Sequence, residues 1–149
     1  MTLKIRPGKP EDAEAVGDVF LGALAEMTYL PALHTEAETR AFIRDVLLPN
    51  NEVWVAEEDG RLIGFAGLGD DVLRHLWVRP EAQNRGVGSA LLALAKKRRP
   101  GGLRLWVFQR NVGARRFYER HGFELTELTD GRGNEEKEPD ALYMWQPST

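Results

Sequence analysis

Residues 76–92 read LWVRPEAQNRGVGSALL, and this stretch decides the fold that the sequence predicts. An apolar and aromatic run ends at Pro80, a polar turn follows, and an apolar helix begins after Gly88. Such a glycine turn at a helix N-terminus can hold phosphate, because the first helical N–H groups have no intrahelical partner and the dipole favours an anion. Gly86 and Gly88 also allow a ligand to approach the backbone closely. We therefore expect a pyrophosphate-bearing molecule to bind at residues 85–90.

The length and composition indicate one ordinary globular domain. A chain of 149 residues can bury a sizeable core, so we expect a single domain over residues 1–149. Its 42% hydrophobic and 29% charged residues are typical of a soluble protein, and no apolar run is as long as a membrane span. The first residues lack the apolar segment of a signal peptide, which favours a cytoplasmic location and no membrane partner.

The sequence predicts neither thiol nor metal chemistry. It contains no cysteine, which excludes disulfides, a thiolate nucleophile and cysteine zinc sites. The three histidines, His34, His75 and His121, are isolated from one another in the sequence, so we expect no metal site.

Positive charge is concentrated in the segment that contains the glycine turn. The net charge of the chain is −3, yet residues 81–120 hold ten Lys and Arg against two acids, which makes this segment +8. A binding site for an anionic ligand would explain this concentration of positive charge. The alternative is that these Arg and Lys residues only solvate helix faces. Nucleic acid is not an expected partner, because the whole chain is acidic and carries no known DNA-reading motif.

Hydrophobic periodicity and turn residues predict the element order β-α-α-β-β-β-α-β-α-β-β. This order describes an α+β (mixed α/β) domain on one central sheet. The predicted ranges are strand 3–6, helix 10–27, helix 35–48, strands 53–57, 62–68 and 72–78, helix 89–99, strand 103–108, helix 112–121, and strands 123–128 and 141–145. Asp59-Gly60 predicts a two-residue hairpin, and strand 103–108 is expected to be central because it is so apolar.

The second helix has the clearest start signal. Thr35, with Glu38 three residues later, predicts a capping box. Pro49-Asn50 is expected to stop the helix. Apolar residues at helical spacing are expected to form the buried face: Phe42, Ile43, Val46 and Leu47.

The glycine turn does not fit two common nucleotide-binding fingerprints. A dinucleotide-binding fold has a third glycine, and an acidic residue about 20 residues further on. Here Leu91 occupies the third-glycine position, and residues 104–110 contain no acid. The sequence has no Gly-Lys-Ser or Gly-Lys-Thr, which excludes a P-loop.

Two motifs taken together resemble one known family. Residues 78–88 read V-x-P-x-x-Q-x-x-G-x-G, and residues 111–123 read N-x-x-A-x-x-F-Y-E-x-x-G-F. They resemble motifs A and B of the GCN5-related N-acetyltransferases, and the predicted element order is similar to that family's order along the whole chain. The resemblance implies a mostly antiparallel sheet of about six to seven strands flanked by about four helices. It also implies acetyl-CoA as a co-substrate, with no metal.

The resemblance also implies where the donor binds. The backbone of residues 76–78 would pair with the pantetheine arm like an added strand, and the amides of residues 85–90 would hold the pyrophosphate. Gln83 would shape the turn and Arg85 would add charge, although Gln83 and Asn84 can equally be ordinary polar turn residues. The implied donor-binding set is Leu76, Trp77, Val78, Gln83, Asn84, Arg85, Gly86, Val87, Gly88, Ser89, Ala90, Asn111 and Tyr118.

Two residues of the second motif carry implied chemical roles. Tyr118 matches the family residue that donates a proton to the leaving thiolate, although an aromatic packed in the core is the alternative. Asn111 matches a residue that contacts pantetheine and helps to separate two strands, and an ordinary helix N-cap is equally compatible. The general base is not assigned, because Trp106 stands where some relatives carry Glu. Candidate bases are His75, Glu26, Asp70, Asp71, His34, Glu135 and Glu136.

The acceptor site is implied only in outline. Segments 27–34 and 134–140 correspond to the regions that determine acceptor specificity in the family, and a solvated surface loop is the alternative for the second. The candidate acceptor-binding residues are Tyr29, His34, Trp54, His75, Trp106, Glu135 and Glu136. We expect a small-molecule or amino-acid-like amine as acceptor. A protein N-terminus or lysine, or a non-catalytic acyl-CoA sensor, are the alternatives, and a homodimer is possible by resemblance.

Overall fold

The computed structural model describes residues 2–148. The strands are β1 (Leu3–Pro7), β2 (Glu52–Glu58), β3 (Arg61–Gly69), β4 (Val72–Val78), β5 (Leu103–Phe108), β6 (Glu124–Leu128) and β7 (Asp140–Trp145). The helices are α1 (Ala13–Leu24), α2 (Glu36–Phe42), α3 (Leu48–Asn50), α4 (Val87–Arg98) and α5 (Val112–Arg120), with a π-helical turn (Ile43–Leu47) joining α2 to α3. The predicted element order and fold class are confirmed.

One seven-stranded sheet runs through the molecule in the order β1-β2-β3-β4-β5-β7-β6. Neighbouring strands are antiparallel except β4 and β5, which are parallel and share only the register pair Val72–Arg104. The hairpin at Asp59-Gly60 forms as predicted, because both residues adopt the positive φ angles (53° and 79°) that a tight turn between twisted strands needs.

Helices cover both faces of the sheet and bury two apolar clusters. On one face, α1 and the π-turn pack on β2 and β3 through Val16, Val19, Ile43, Leu47 and Phe65. On the other face, α4 packs across β2, β3 and β4, and its fully buried Leu91 and Leu92 share a cluster with residues of β5. This packing fixes α4 against the sheet. The glycine turn that precedes α4 is therefore held next to the C-terminal end of β4.

The second helix differs from the prediction in its buried face. Thr35 and Glu38 form the capping box, and Ile43 and Leu47 are buried. Phe42 and Val46, however, are 39% and 44% exposed, because each precedes a buried residue by one position and lies on the adjacent side of the helix. The helical path ends at Asn50, as predicted. It passes through Pro49 because the π-turn, in which the Leu48 N–H donates to a carbonyl five residues back, accommodates a residue without an N–H.

Strand β5 is central, as predicted, but it is not buried on both faces. Leu103, Leu105 and Val107 lie in the core, whereas Trp106 is 46% exposed on the opposite face. Among residues 2–148, no helix combines the length and apolar character needed to cross a membrane.

Candidate active site

A cleft opens where β4 and β5 separate. Beyond the single pair Val72–Arg104, β5 continues its pairing with β7, and β4 has no strand partner on that side within the described residues. A cavity of about 730 Å³ lies in this opening. The Arg79 N–H donates to the Ile63 carbonyl on the β3 side (2.8 Å). Because backbone groups alternate in direction along a strand, those of Val78 and Leu76 are directed into the cleft.

The glycine turn places unpaired amides at the end of this cleft. Gly86 has φ +85° and is the N-cap of α4, and Asn84 also adopts a positive φ of 62°. The first intrahelical bond runs from the Ala90 N–H to the Gly86 carbonyl (3.0 Å). Ala90 is therefore a correction to the predicted set of free amides, because its N–H is used within the helix. The amides of Val87, Gly88 and Ser89 precede that bond and are available to an anion.

Most of the predicted donor-binding residues meet at the cavity. Those that line it are Leu76, Trp77, Val78, Gln83, Asn84, Gly86, Gly88, Ser89, Asn111 and Tyr118. Two other predicted side chains lie elsewhere. Arg85 pairs with Glu58 (Nη2 to Oε1, 3.2 Å), and Val87 is buried in the core with 3% exposure. The Arg85 side chain thus points to a neighbouring strand because an acid is available there.

Asn111 caps α5 and also lines the cavity. Its Oδ1 accepts a hydrogen bond from the Ala114 N–H (3.2 Å), so the capping role is present. The cap uses the carbonyl end of the side chain and leaves the two N–H donors of the amide for another partner. Both interpretations of Asn111 from the sequence are therefore compatible with this geometry.

Tyr118 presents a protonated phenol to the cavity. Its ring packs edge-on against Phe117 and Phe123, with centroids 5.3 and 5.6 Å away. Burial of the side chain raises the pKa of Tyr118 well above its usual value of 10. The hydroxyl therefore keeps its proton at physiological pH and can act as a hydrogen donor.

One of the candidate bases lies at the cavity. Glu26 follows α1 and lines the cleft together with Gln83. The Gln83 Nε2 donates to the Glu26 Oε1 (3.1 Å) and to the Val78 carbonyl (3.2 Å). Gln83 thus ties the carboxylate of Glu26 to the end of β4, which holds an acid next to the unpaired strand edge.

The other candidate bases lie outside the cavity lining. His75 packs against Phe20, Phe42 and Phe65 and accepts a hydrogen bond on Nδ1 from the Trp77 Nε1 (3.3 Å). Burial, with a smaller effect from neighbouring positive charge, lowers the pKa of His75 to about 4, so the ring is neutral at physiological pH. Asp70 and Asp71 are in the β3–β4 turn, at the opposite end of β4 from Val78.

Of the predicted acceptor-binding residues, the structure brings Tyr29 to the cavity. His34 and Glu135 contact each other instead (Nε2 to Oε1, 2.7 Å), and they join the α1–α2 loop to the β6–β7 loop. Trp54 donates to Glu52 (2.8 Å) and lies beneath the Arg98 guanidinium. Trp106, Glu136 and Trp54 are not among the residues that line the cavity.

The basic segment contributes only in part to the cleft. Arg110 and Arg120 line the cavity, whereas Arg98 and Arg99 both pair with Glu52 away from it (2.6 and 3.1 Å). Much of the +8 segment therefore serves ion pairs and solvated helix faces, which was the alternative explanation. Among residues 2–148, no cluster of three potential metal-ligating side chains occurs.

Arg110 lines the cleft and contacts a buried acid, and the sequence patterns singled out neither residue. Arg110 follows β5, and its guanidinium lies 5.6 Å from the centroid of the Tyr29 ring. The Arg110 Nε also pairs with the Oε2 of Glu138 (3.0 Å), a buried acid in the β6–β7 loop. In the sequence, Arg110 is one of ten basic residues within 81–120, and Glu138 is one of several acids within 134–140, so no local signal distinguishes them.

Comparison with known proteins gives consistent matches. The family model described as "Acetyltransferase (GNAT) domain" matches residues 49–125, more than half of the chain. The peptidyl-lysine N-acetyltransferase YiaC of Escherichia coli (strain K12) is 40% identical over 86 residues, which are 57% of this chain and 58% of that relative. The chain therefore spans little more than half the length of this curated relative.

Two solved structures share the fold along the full chain. The solution structure of apo-form YjaB from Escherichia coli has a TM-score of 0.81 at 24% identity and covers 99% of this chain and 100% of that one. The PaiA N-acetyltransferase from Thermoplasma acidophilum, solved in complex with coenzyme A, has a TM-score of 0.76 at 24% identity, with the same coverage of both chains.

Proposed function

The chain belongs to the GNAT family of acetyltransferases, and on this premise we propose that it is an acetyl-CoA-dependent N-acetyltransferase whose single domain spans residues 1–149. The observation that carries the proposal is that backbone groups of β4, backbone amides of α4 and one phenol all face the same cleft. The free edge of β4 leads to the free amides of α4, and the Tyr118 phenol faces the same cavity. An extended amide chain, a pyrophosphate and a leaving thiolate each find a suitable partner in this cleft.

We assign donor binding to the backbone of two elements. The cleft-facing groups of Leu76 and Val78 suit the amides of a pantetheine arm, and the N–H groups of Val87, Gly88 and Ser89 suit a pyrophosphate. The free amide donors of Asn111 suit a pantetheine carbonyl. Acetyl-CoA, when bound, supplies a thioester that an amine can attack directly.

We assign the chemical roles to three groups on the cavity wall. The Val78 N–H polarises the carbonyl that is attacked, as in other oxyanion sites. Glu26 takes a proton from the attacking amine, and Tyr118 gives its proton to the sulfur as the carbon–sulfur bond breaks. Glu26 then releases its proton to solvent and Tyr118 regains one from solvent, so the net products are an N-acetyl amine and a free thiol.

We propose a small or amino-acid-like amine as acceptor, because the cavity is a cleft lined by Glu26, Tyr29 and Arg110. A peptidyl lysine is the second candidate, because the Escherichia coli relative is a peptidyl-lysine N-acetyltransferase. Homodimer formation and a cytoplasmic location stay predictions from the sequence, and light scattering in solution would check the first.

Thiol release from acetyl-CoA with a panel of amines, including a lysine peptide, tests the proposal. We expect turnover in the wild type and a fall of about 10²- to 10⁴-fold in kcat for Glu26→Gln, with little change in the affinity for acetyl-CoA. Glu14→Gln is the matched control, since Glu14 lies on α1 and pairs with Arg40 away from the cleft. Absence of acetyl-CoA binding would refute the assignment, and binding without turnover on any amine would support a non-catalytic sensor.

A further inference from the structure

Three loops meet at one end of the cavity and bring together residues that are far apart in the sequence. Tyr29 lies between α1 and α2, Arg110 lies between β5 and α5, and Glu138 lies between β6 and β7. Tyr29 and Arg110 line the cavity, together with Glu26. This end of the cleft is therefore built from all three loops and includes the Tyr29–Arg110–Glu138 contacts.

The hydroxyl of Tyr29 is buried, and it has no hydrogen-bond partner among residues 2–148. The ring is held edge-on against Phe108, with centroids 6.2 Å apart, which fixes the direction of the hydroxyl. A buried hydroxyl without a partner is unfavourable and uncommon in folded proteins, and a bound ligand is one way to satisfy it. Tyr29, a residue of the cavity lining, thus has one buried donor without a described partner.

Arg110 offers further unused donors at the same place. Its Nε lies 3.0 Å from the Oε2 of Glu138, and its two terminal nitrogens make no hydrogen bond to another residue within 2–148. Glu138 is 7% exposed, so it can fix the guanidinium without itself being open to solvent. A guanidinium carries five N–H groups, and the four on the terminal nitrogens suit a carboxylate or carbonyl oxygen.

The buried Glu138 Oε2 is engaged by its ion pair with Arg110 and does not line the cavity, so the free polar groups of Tyr29 and Arg110 are donors, whereas the accessible acid of the cavity is Glu26. We infer that the acceptor is a primary amine that also carries a carboxylate or carbonyl oxygen, as in an amino acid. Tyr29 and Arg110 bind that oxygen, Glu138 positions Arg110, and Glu26 faces the amine. This inference rests on the proposed acetyl transfer, because it names the acceptor class for the same cleft.

Probe pairs that differ by one carboxylate test the inference: L-tyrosine with tyramine, and L-lysine with cadaverine. Binding of each probe to the CoA-loaded protein is measured by calorimetry, separately from thiol release. A charge-assisted contact predicts that the wild type binds the carboxylate member about 10- to 100-fold more tightly. We expect this preference to fall below about threefold in Arg110→Gln and to be reduced in Tyr29→Phe, with the affinity for CoA unchanged.

Arg44→Gln is the matched control. The Arg44 side chain is 63% exposed and pairs with one acid, and the Arg110 side chain is likewise 62% exposed and pairs with Glu138. The control should keep the preference. Tyr29→Phe removes only a hydroxyl that has no partner, so it should fold even if Arg110→Gln disturbs the loop.

Several outcomes would overturn the inference: equal binding of both members of each pair, no binding of any probe, or a preference that survives both variants. Faster acetylation of a lysine peptide that does not depend on Arg110 would also overturn it. Failure of the proposed function has a different signature, namely no thiol release with any amine. In that case the probe-binding measurements still decide whether Tyr29 and Arg110 recognise the oxygen.

Discussion

Replacing Tyr118 by phenylalanine removes one hydroxyl from the cleft and leaves the aromatic ring in place. The ring keeps its packing against Phe117 and Phe123, and the hydroxyl has no hydrogen bond to any described residue. The free energy of unfolding should therefore change by less than about 0.5 kcal/mol. The rate of acetyl transfer should fall by about 10²- to 10⁴-fold, the usual contribution of a general acid, which corresponds to about 3 to 5 kcal/mol in the activation free energy.

Tyr143→Phe is a control that should lower stability and leave catalysis intact. Tyr143 is fully buried, and its hydroxyl both donates and accepts a hydrogen bond. It donates to the Glu119 Oε2 (2.6 Å) and accepts from the Arg115 Nε (3.0 Å). Its removal should cost about 1 to 3 kcal/mol and lower Tm by roughly 3 to 10 °C, with kcat nearly unchanged in the folded protein. The two tyrosines thus separate a loss of chemistry from a loss of stability.

Thermal melts and steady-state rates at saturating acetyl-CoA measure both quantities for each variant. Since burial raises the pKa of Tyr118 above 10, the wild type should show no loss of activity from Tyr118 ionisation below pH 10. If Tyr118→Phe binds acetyl-CoA, melts as the wild type does and keeps kcat within about threefold, proton donation by Tyr118 is refuted.

Three further predictions follow from single positions. Gly88→Ala should raise stability by up to about 1 kcal/mol and yet weaken acetyl-CoA binding, because a methyl group fits 3.4 Å from Phe117 but narrows the cleft; melts and calorimetry measure the two effects. Ion pairing with Arg98 lowers the pKa of Glu52 to about 2, so the stability it contributes is present above pH 4.5 and is lost as the pH falls towards 2; Glu52→Gln should remove this pH dependence of Tm. Burial lowers the pKa of His75 to about 4, so protonation favours the unfolded chain as the pH falls from 6.5 to 4; His75→Phe should make Tm less sensitive to pH in that window, and NMR titration should place the His75 pKa near 4.

The parts of the site that lie in one continuous stretch could be predicted from the sequence. The strand end at Val78, the left-handed Gly86 and the helix start at Val87 are each determined by neighbours within a few residues. The same is true of Asn111, whose cap of α5 depends on a hydrogen bond three residues away. Local signals of this kind determined the order of the elements and the position of the cleft.

The parts that depend on distant contacts could not be predicted. The direction of the Arg85 side chain is determined by Glu58, a partner on another strand. The Trp106 side chain lies on the exposed face of β5, whereas the sequence predicted that it would line the cleft. The Tyr29–Arg110–Glu138 contacts need three loops to meet.

Within residues 2–148, the two parts of the sheet, β1–β4 and β5–β7, are joined by backbone hydrogen bonds only around Val72 and Arg104. Elsewhere both parts contribute to one apolar cluster, in which Leu91 and Leu92 of α4 pack with Ile63 of β3 and Leu105 of β5. Hydrogen bonds are directional, whereas apolar contacts are not. The width of the cleft is therefore determined by the volume of the side chains beneath it and not by a hydrogen-bonded ladder between β4 and β5.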